Sequence, residues 1–590
     1  MGDALLVFCV EETMRRITPL IASLAVCFGS AAVAQDRDND WHQSEIKHVL
    51  LISIDGMHAV DFLNCSNGIA SVNNGDPYCP NLAALATTGV NYVGASTSKP
   101  SDSFPGLMTI VTGATPRLMG VYYDVAYDRS LDGPAVETGN NNGPGTCTAN
   151  TAPTGFTTEY EEGIDKNQQL LNGGAKGASL TDGGIASLDA TKMDRDPANG
   201  CAPVYPWQFV RTNSIFGVIH KAGGYTAWSD KHPAYSSVAG RDGAGVLDDF
   251  YSPEINSNVV NLPGVTTPDG LGCQTVPDAG ADLTAWTNSF KNIKCYDTLK
   301  VNAILSEIEG WNHLKTAKTK TPTIYGMNFQ AVSVGEKLIE SGTKGGYLDG
   351  AGTPTSSLLS EIEFVDDAIG QMVNKIKDRG QYESTLIIIT AKHGQSPIDP
   401  NLYDAVPGKT NNGSSPATII STNLGTIPMS EDPNNANGIG STEDDVSLIW
   451  LKNTSGTLLA VQLLEEPANR AAAGIGQIYY GPSLALNYDW PGLGKGLDPR
   501  TPDIIVTPNV GVTYTGSNKK LMEHGGFAHD DTNVMLLLSN PALRPHTVFT
   551  SVVTNQVAPT ILRSLGLDPR ALDGVRIEGT SVLPDVSLNF

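Results

Sequence analysis

Positive charge is scarce in this chain: among 590 residues, 38 Lys and Arg stand against 62 Asp and Glu, a formal net charge of −24. That balance argues against a nucleic acid duplex or an anionic membrane as partner, since both repel such a surface. A small anionic substrate stays open, because one lysine or a metal ion reverses the sign locally. Long hydrophobic runs are also missing. After residue 35 no segment approaches the roughly 18 uninterrupted apolar residues that a membrane helix needs. Cysteine is rare, eight in all, and none lies in a CxxC or similar ligand spacing. That excludes the usual cysteine-based zinc sites and leaves disulfides in an oxidising compartment as the better reading.

What is present begins with an address. From Met14 the chain reads Arg15-Arg16, an apolar stretch from Ile17 to Phe28, then Ala32-Val33-Ala34 before Gln35. This is the three-part pattern of a secretory leader. The expectation is a signal peptide over 1–34 with its start at Met14, and a mature protein that is periplasmic or secreted, without membrane contact once the leader is removed. The leader carries Cys9 and Cys27, leaving Cys65, Cys79, Cys147, Cys201, Cys273 and Cys295. Several pairings are possible. Neighbour pairing (65 with 79, 147 with 201, 273 with 295) is expected, because each closes a Gly/Asn/Asp-rich loop.

The stretch that organises the rest is Ser98 to Tyr123. Ser101, Asp102 and Ser103 precede Phe104-Pro105-Gly106 and an apolar run that closes at Thr112-Gly113, a loop feeding a helix with proline in its first turn. A hydroxyl at a helix N-terminus meets free backbone N–H groups and the positive dipole end, where anions are favoured. Ser103 is therefore a candidate nucleophile facing a phosphate-like group, or else part of an ordinary helix cap. Two apolar runs rich in β-branched residues, His48 to Ile54 and Ser384 to Thr390, stop abruptly at Asp55-Gly56 and at Lys392-His393-Gly394. Both read as strands buried on two faces, with polar residues at the carboxyl end, where open parallel sheets bind ligands. Ser356 to Arg379 carries one apolar stripe at helical spacing. Asp230-Lys231-His232 follows a short strand, Tyr225 to Ser229, and reads as a hydrogen-bonded loop rather than a ligand pair. Irregular Gly/Asn/Pro-rich insertions are expected at about 125–205 and 400–440.

In this order the pieces resemble the alkaline phosphatase superfamily, most closely its type I phosphodiesterase/nucleotide pyrophosphatase branch. The matching residues are Asp55-Gly56, Ser103-Phe104-Pro105, Ile110 to Gly113, Pro116 to Gly120, His393-Gly394 and His524-Gly525. The resemblance spans about 48–565. It implies an α/β fold with a mainly parallel central sheet and helices on both faces, spread over one domain from 35 to 590. It also implies a small phosphate-ester substrate, two zinc ions, and a nucleophile that becomes phosphorylated. Residue by residue, Asp55, Ser103 and His393 match ligands of the nucleophile-side metal, and His524 matches a ligand of the other.

Three positions depart from the family pattern. Lys392 stands where the family has Asp. Val332 and Glu336 stand at the Asp and His of its Asp-x-x-Gly-His segment. Gly106 replaces an Asn that would donate to phosphate. With an ammonium among the ligands, two zinc ions would repel one another with little compensation. One divalent ion, zinc by resemblance, held by some of Asp55, Ser103, Glu336, His393 and His524, is the expectation. Lys392 then either replaces the second cation in a phosphoric ester hydrolase or marks a binding protein that has lost its metals. A sulfuric ester hydrolase shares the fold, but its Cys/Ser-x-Pro-x-Arg pattern is not found around Ser103.

Overall fold

The computed structural model describes residues 45–590 except 176–181, 259–261, 263–264, 271, 274–285, 408–413, 426–440, 494–495, 497, 516–519 and 588–590. The expected leader over 1–34 and most of the insertion at 400–440 lie outside the described residues.

An eight-stranded sheet forms the centre. In chain order its strands are β1 (His48–Ile54), β2 (Gly89–Tyr92), β3 (Ala227–Ser229), β4 (Asp249–Tyr251), β5 (Ile324–Phe329), β6 (Thr385–Thr390), β7 (Leu536–Ser539) and β8 (His546–Val548). The spatial order is β8-β2-β7-β6-β1-β5-β3-β4. The run from β6 to β4 is parallel throughout, and β7 is antiparallel to both its neighbours, β6 and β2. The apolar runs read as doubly buried strands behave as such. Every residue of β5 and β6 is buried, as is all of β1 after His48.

Burial on both faces requires helices on both faces, and the core divides accordingly. Leu50, Ile52 and Ile54 of β1 point into one layer with helices α2 (Phe290–Ile308), α3 (Ala331–Lys337) and α4 (Ser356–Asp378). Val49 and Leu51 point into the other, with helix α1 (Ser103–Thr112). Because β-strand side chains alternate, a single strand supplies both layers. The expected mainly parallel α/β fold is therefore the observed one. The described residues of the segment 140–201 are irregular, as its composition implies, with short strands, turns and single 3-10 turns. Residues 441–508 build a second, four-stranded antiparallel sheet with its own apolar core. The three neighbouring disulfides are present: Cys65–Cys79, Cys147–Cys201 and Cys273–Cys295.

Candidate active site

Four adjacent parallel strands, β6, β1, β5 and β3, end at the same edge of the sheet, so the residues that follow them meet. Lys392 and His393 follow β6, Asp55 follows β1, Gln330 follows β5, and Asp230 and Lys231 follow β3. Ser103 enters from the side on the first turn of α1. Asp102 caps that helix, its carboxylate accepting from the Phe104 N–H and, at 2.8 Å, from the Asp124 N–H. The nucleophile and cap readings of this segment thus fall on neighbouring residues: Asp102 caps, and Ser103 is left free to point into the cleft.

Ser103 Oγ lies 3.1 Å from His393 Nε2 and 3.1 Å from Lys231 Nζ. His393 Nδ1 is 2.9 Å from the Gly394 carbonyl. A carbonyl only accepts, so Nδ1 carries the hydrogen and, in the neutral ring, Nε2 presents a lone pair to the serine hydroxyl. Burial, reinforced by the neighbouring His524, holds His393 well below the ordinary histidine range, so the ring stays neutral. His524 stacks on His393 with ring centroids 4.1 Å apart. Burial and the nearby Lys337 bring its own pKa down to about 3.

Lys231 donates to Glu161 Oε1 at 2.6 Å, and Glu161 also accepts from the Tyr235 hydroxyl. Burial disfavours the charge on Lys231, but Glu161 and Asp55 outweigh it and raise the ammonium above its ordinary pKa. Lys392 lies deeper, 2.9 Å from Asp230 Oδ1, 3.9 Å from Asp55 Oδ2 and 4.1 Å from the centroid of the Tyr235 ring. Asp55 also accepts from the side-chain amides of Gln330 and Asn328. Burial pushes the Asp55 carboxyl up, yet Lys392 and Lys231, with the Gln330 amide, hold it well below the usual carboxylate range. Asp102 goes the other way: burial and the repulsion of Glu161 raise it to about 8.

The expected site residues are therefore mostly brought together: Asp55, Ser103, Lys392, His393 and His524 share one cleft. Glu336 is not among them. Its carboxylate accepts from Gln395 and Tyr347 and lies 3.4 Å from His58 Nδ1, in a buried cluster with Asp61. No hydrogen bond or ion pair joins it to Asp55, Ser103, His393 or His524 among the described residues. The structure thus places Glu336 apart from the other expected ligands, beside His58, whose charge Asp61 and Glu336 stabilise against burial.

Sequence reasoning missed Lys231 as a partner of the nucleophile. Its signal was the position directly after a third strand ending at the same sheet edge. It likewise placed the ammonium nearest Ser103 at Lys392, which faces Asp230 and the Tyr235 ring instead.

Asp55, Ser103, Lys392 and His393 are almost fully buried, at 1% exposure or less. The Lys231 and His524 side chains are 14% and 16% exposed, so the nucleophile is reached past these two. A cavity of about 920 Å³ lined by Tyr479, Tyr488 and Phe527 lies elsewhere, and none of Ser103, Lys231 or His393 lines it. Among the described residues, two sets of side chains come close enough to hold an ion: His58, Asp61 and Glu336, and Asp102, Asp124 and Glu161.

No curated protein matches the chain. Similar solved structures include murine ectonucleotide pyrophosphatase/phosphodiesterase 5, at 13% identity over 88% of this chain and 96% of that one, with a TM-score of 0.49. An inactive form of the murine protein in complex with AMP is similar at 13% identity over 89% and 96%, with a TM-score of 0.49. The human protein of the same name is similar at 13% identity over 88% and 95%, with a TM-score of 0.48. The model of the family described as type I phosphodiesterase/nucleotide pyrophosphatase, whose members are divalent-metal-dependent enzymes, matches residues 49–165 and 335–530. Matched over just more than half its length and through the segments that carry Asp55, Ser103, His393 and His524, the chain belongs to the type I phosphodiesterase/nucleotide pyrophosphatase family of the alkaline phosphatase superfamily and is a phosphodiester hydrolase.

Proposed function

We propose that the protein hydrolyses small phosphoric diesters or nucleotide pyrophosphates through a phosphoryl-Ser103 intermediate. The observation that carries this is the placement of Ser103 Oγ between a neutral His393 Nε2 and the Lys231 ammonium, at 3.1 Å from each, on the first turn of a capped helix. A base on one side and fixed positive charge on the other are what an activated hydroxyl needs.

The sequence of bonds follows from that geometry. Ser103 Oγ attacks phosphorus as its proton passes to His393 Nε2. The bond to the leaving oxygen breaks on the opposite side, toward solvent, and that oxygen takes a proton from water. The hydroxide so formed, or its equivalent, attacks the phosphoryl-serine from the vacated side. The Oγ–P bond then breaks, and the His393 proton returns to Ser103. One ester and one water give one alcohol and one phosphate monoester, with the site unchanged.

The residues present do not fit a divalent ion on Asp55, Ser103 and His393. Zinc would bond these atoms at roughly 2.0–2.2 Å. It would share Ser103 Oγ with the Lys231 ammonium and Asp55 with Lys392. Even at an effective dielectric of about 20, each such encounter costs several kcal/mol. The test is mass-spectrometric trapping of the intermediate: a brief reaction with bis(p-nitrophenyl) phosphate should add a phosphoryl ester to the peptide holding Ser103. Ser103→Ala should abolish both label and turnover. Binding of phosphate esters with no Ser103-dependent turnover would instead make this a binding protein on an enzyme fold, and turnover confined to sulfate esters would move it to the sulfuric ester hydrolases.

A further inference from the structure

The reading of Ser103 as nucleophile leaves open what neutralises the phosphoryl oxygens. We infer that Lys231 is a catalytic residue supplying that positive charge, with Lys392 as the ammonium that balances the carboxylates beneath it, so that turnover at Ser103 needs no divalent ion. This rests on the reading above and goes beyond it by naming the electrophile.

An ammonium has three N–H donors. Those of Lys231 reach Ser103 Oγ at 3.1 Å and Glu161 Oε1 at 2.6 Å. The side chain is 14% exposed, which leaves the third donor for the open side, where a phosphoryl group bonded to Oγ must lie. A lysine held only as the counter-ion of Glu161 has no need of the nucleophile's oxygen.

The surroundings keep two ammonium groups compatible in one cleft. Tyr235 stands between them, its ring centroid 4.1 Å from Lys392 Nζ and 5.9 Å from Lys231 Nζ. Its hydroxyl donates to the Glu161 carboxylate that orients Lys231. The ring face is electronegative and attracts both cations. Asp230, Asp55 and Glu161 supply the opposing charge. Lys392 is wholly buried and committed to Asp230 and Tyr235. It therefore acts by holding Asp55 and the strand end that carries His393. Three carboxylate oxygens of the cleft are buried without a hydrogen bond: Asp55 Oδ1, Asp102 Oδ1 and Glu161 Oε2. They are the places from which an ion would have to compete with the lysines, so the test includes one.

The test uses the mature full chain, dialysed against a chelator, with metal content measured by plasma mass spectrometry and hydrolysis of bis(p-nitrophenyl) phosphate followed before and after zinc addition. Stripped protein should keep Ser103-dependent turnover within about twofold of the untreated protein. Lys231→Met should lose on the order of 10²–10³-fold in kcat, the scale of one deleted oxyanion donor, and Lys231→Arg should retain part of it. Calorimetric titration with zinc should show one more site in Lys231→Met/Lys392→Asp, where both ammonium groups are gone, than in the stripped wild type. Circular dichroism and Tm establish that each variant folds. Should Lys231→Met fail to fold, Lys231→Arg and the stripping arm decide. Turnover lost on stripping and restored by zinc overturns the inference and leaves the Ser103 reading intact. So does wild-type turnover in folded Lys231→Met. Absence of Ser103-dependent turnover with and without zinc overturns both readings.

Discussion

Replacing Lys392 with methionine keeps the length of the side chain and removes its charge. Lys392 and Asp230 are both wholly buried, 2.9 Å apart, and Asp55 Oδ2 lies 3.9 Å from the same ammonium. The variant would leave two buried carboxylates without their nearest cation, and breaking a buried pair costs about 3–5 kcal/mol. Asp230 keeps the Trp228 indole N–H at 3.0 Å and the Lys231 backbone N–H at 2.8 Å, and Asp55 keeps the amides of Gln330 and Asn328. These donors place the expected loss at the lower end, about 3 kcal/mol. Adding Asp230→Asn removes one stranded charge, so Lys392→Met/Asp230→Asn should regain about half of the lost stability. Urea unfolding of the wild type, the single variant and the double variant measures this. A single variant within about 1 kcal/mol of wild type would refute the claim that the ammonium balances these carboxylates. A double variant no more stable than the single one would assign the loss to packing instead of charge. Turnover should stay depressed in both, because Asp55 and the β6 end remain without their cation.

Three further outcomes follow from separate parts of the fold. Gly106 on α1 faces the backbone of Lys392 so closely that a Cβ would lie 2.2 Å from its carbonyl oxygen; Gly106→Ala should cost about 1–3 kcal/mol in unfolding experiments and lower kcat by displacing His393, with Gly106→Asn worse on both counts. Burial raises the Glu159 carboxyl to about 8, so the folded state binds more protons than the unfolded chain between its unfolded pKa and pH 8, and the stability this lends at low pH is lost as pH rises through that window. Glu159→Gln should therefore gain on wild type from pH 5 to pH 8, by on the order of 3–5 kcal/mol at the upper end, and a pH-independent gap in thermal unfolding would contradict it. Cys147 and Cys201 are 54 residues apart; replacing both with serine should cost about 4 kcal/mol on the loop-entropy account, read by urea unfolding of oxidised wild type against the variant.

The fold was legible where burial is total. β1 and β6 are continuous apolar runs because both their faces are covered, and α4 shows one stripe because only one of its faces is. A strand as short as β3, three residues and all buried, carries too little pattern to announce which way it runs. Parallel direction is what brings Lys231 beside Ser103, across 128 positions of sequence. That direction is set by which strands pair, and no local spacing encodes it. Asp55, Ser103 and His393 were legible because each sits in a short motif with a distinctive turn. The surroundings of Glu336 were not legible, for the converse reason. Aligned by Gly335 it occupies a ligand's position, but His58, remote in sequence, and Tyr347 hold its carboxylate in another cluster.

The departures from the family pattern also bear on whether this site is rebuilt or decayed. Loss of a function without compensation strands the groups that served it, and a buried charge left unpaired is expensive. Here each departed position has acquired a specific partner. Lys392 has Asp230 and the face of Tyr235, Glu336 has His58, Gln395 and Tyr347, and Val332 is fully buried in the apolar layer that holds α3 and α4. Gly106 lets the backbone carbonyl of residue 392 approach α1 without a collision. Lys231 meets the nucleophile and is oriented by Glu161, which Tyr235 in turn holds. Both ammonium groups around Ser103 and His393 have carboxylate partners, Lys231 in Glu161 and Lys392 in Asp230, as substitution of ammonium groups for metal ions requires. It also means that restoring Asp at 392 alone should not restore a zinc site, because Lys231 would still occupy the nucleophile's oxygen and Asp230 would lose its cation.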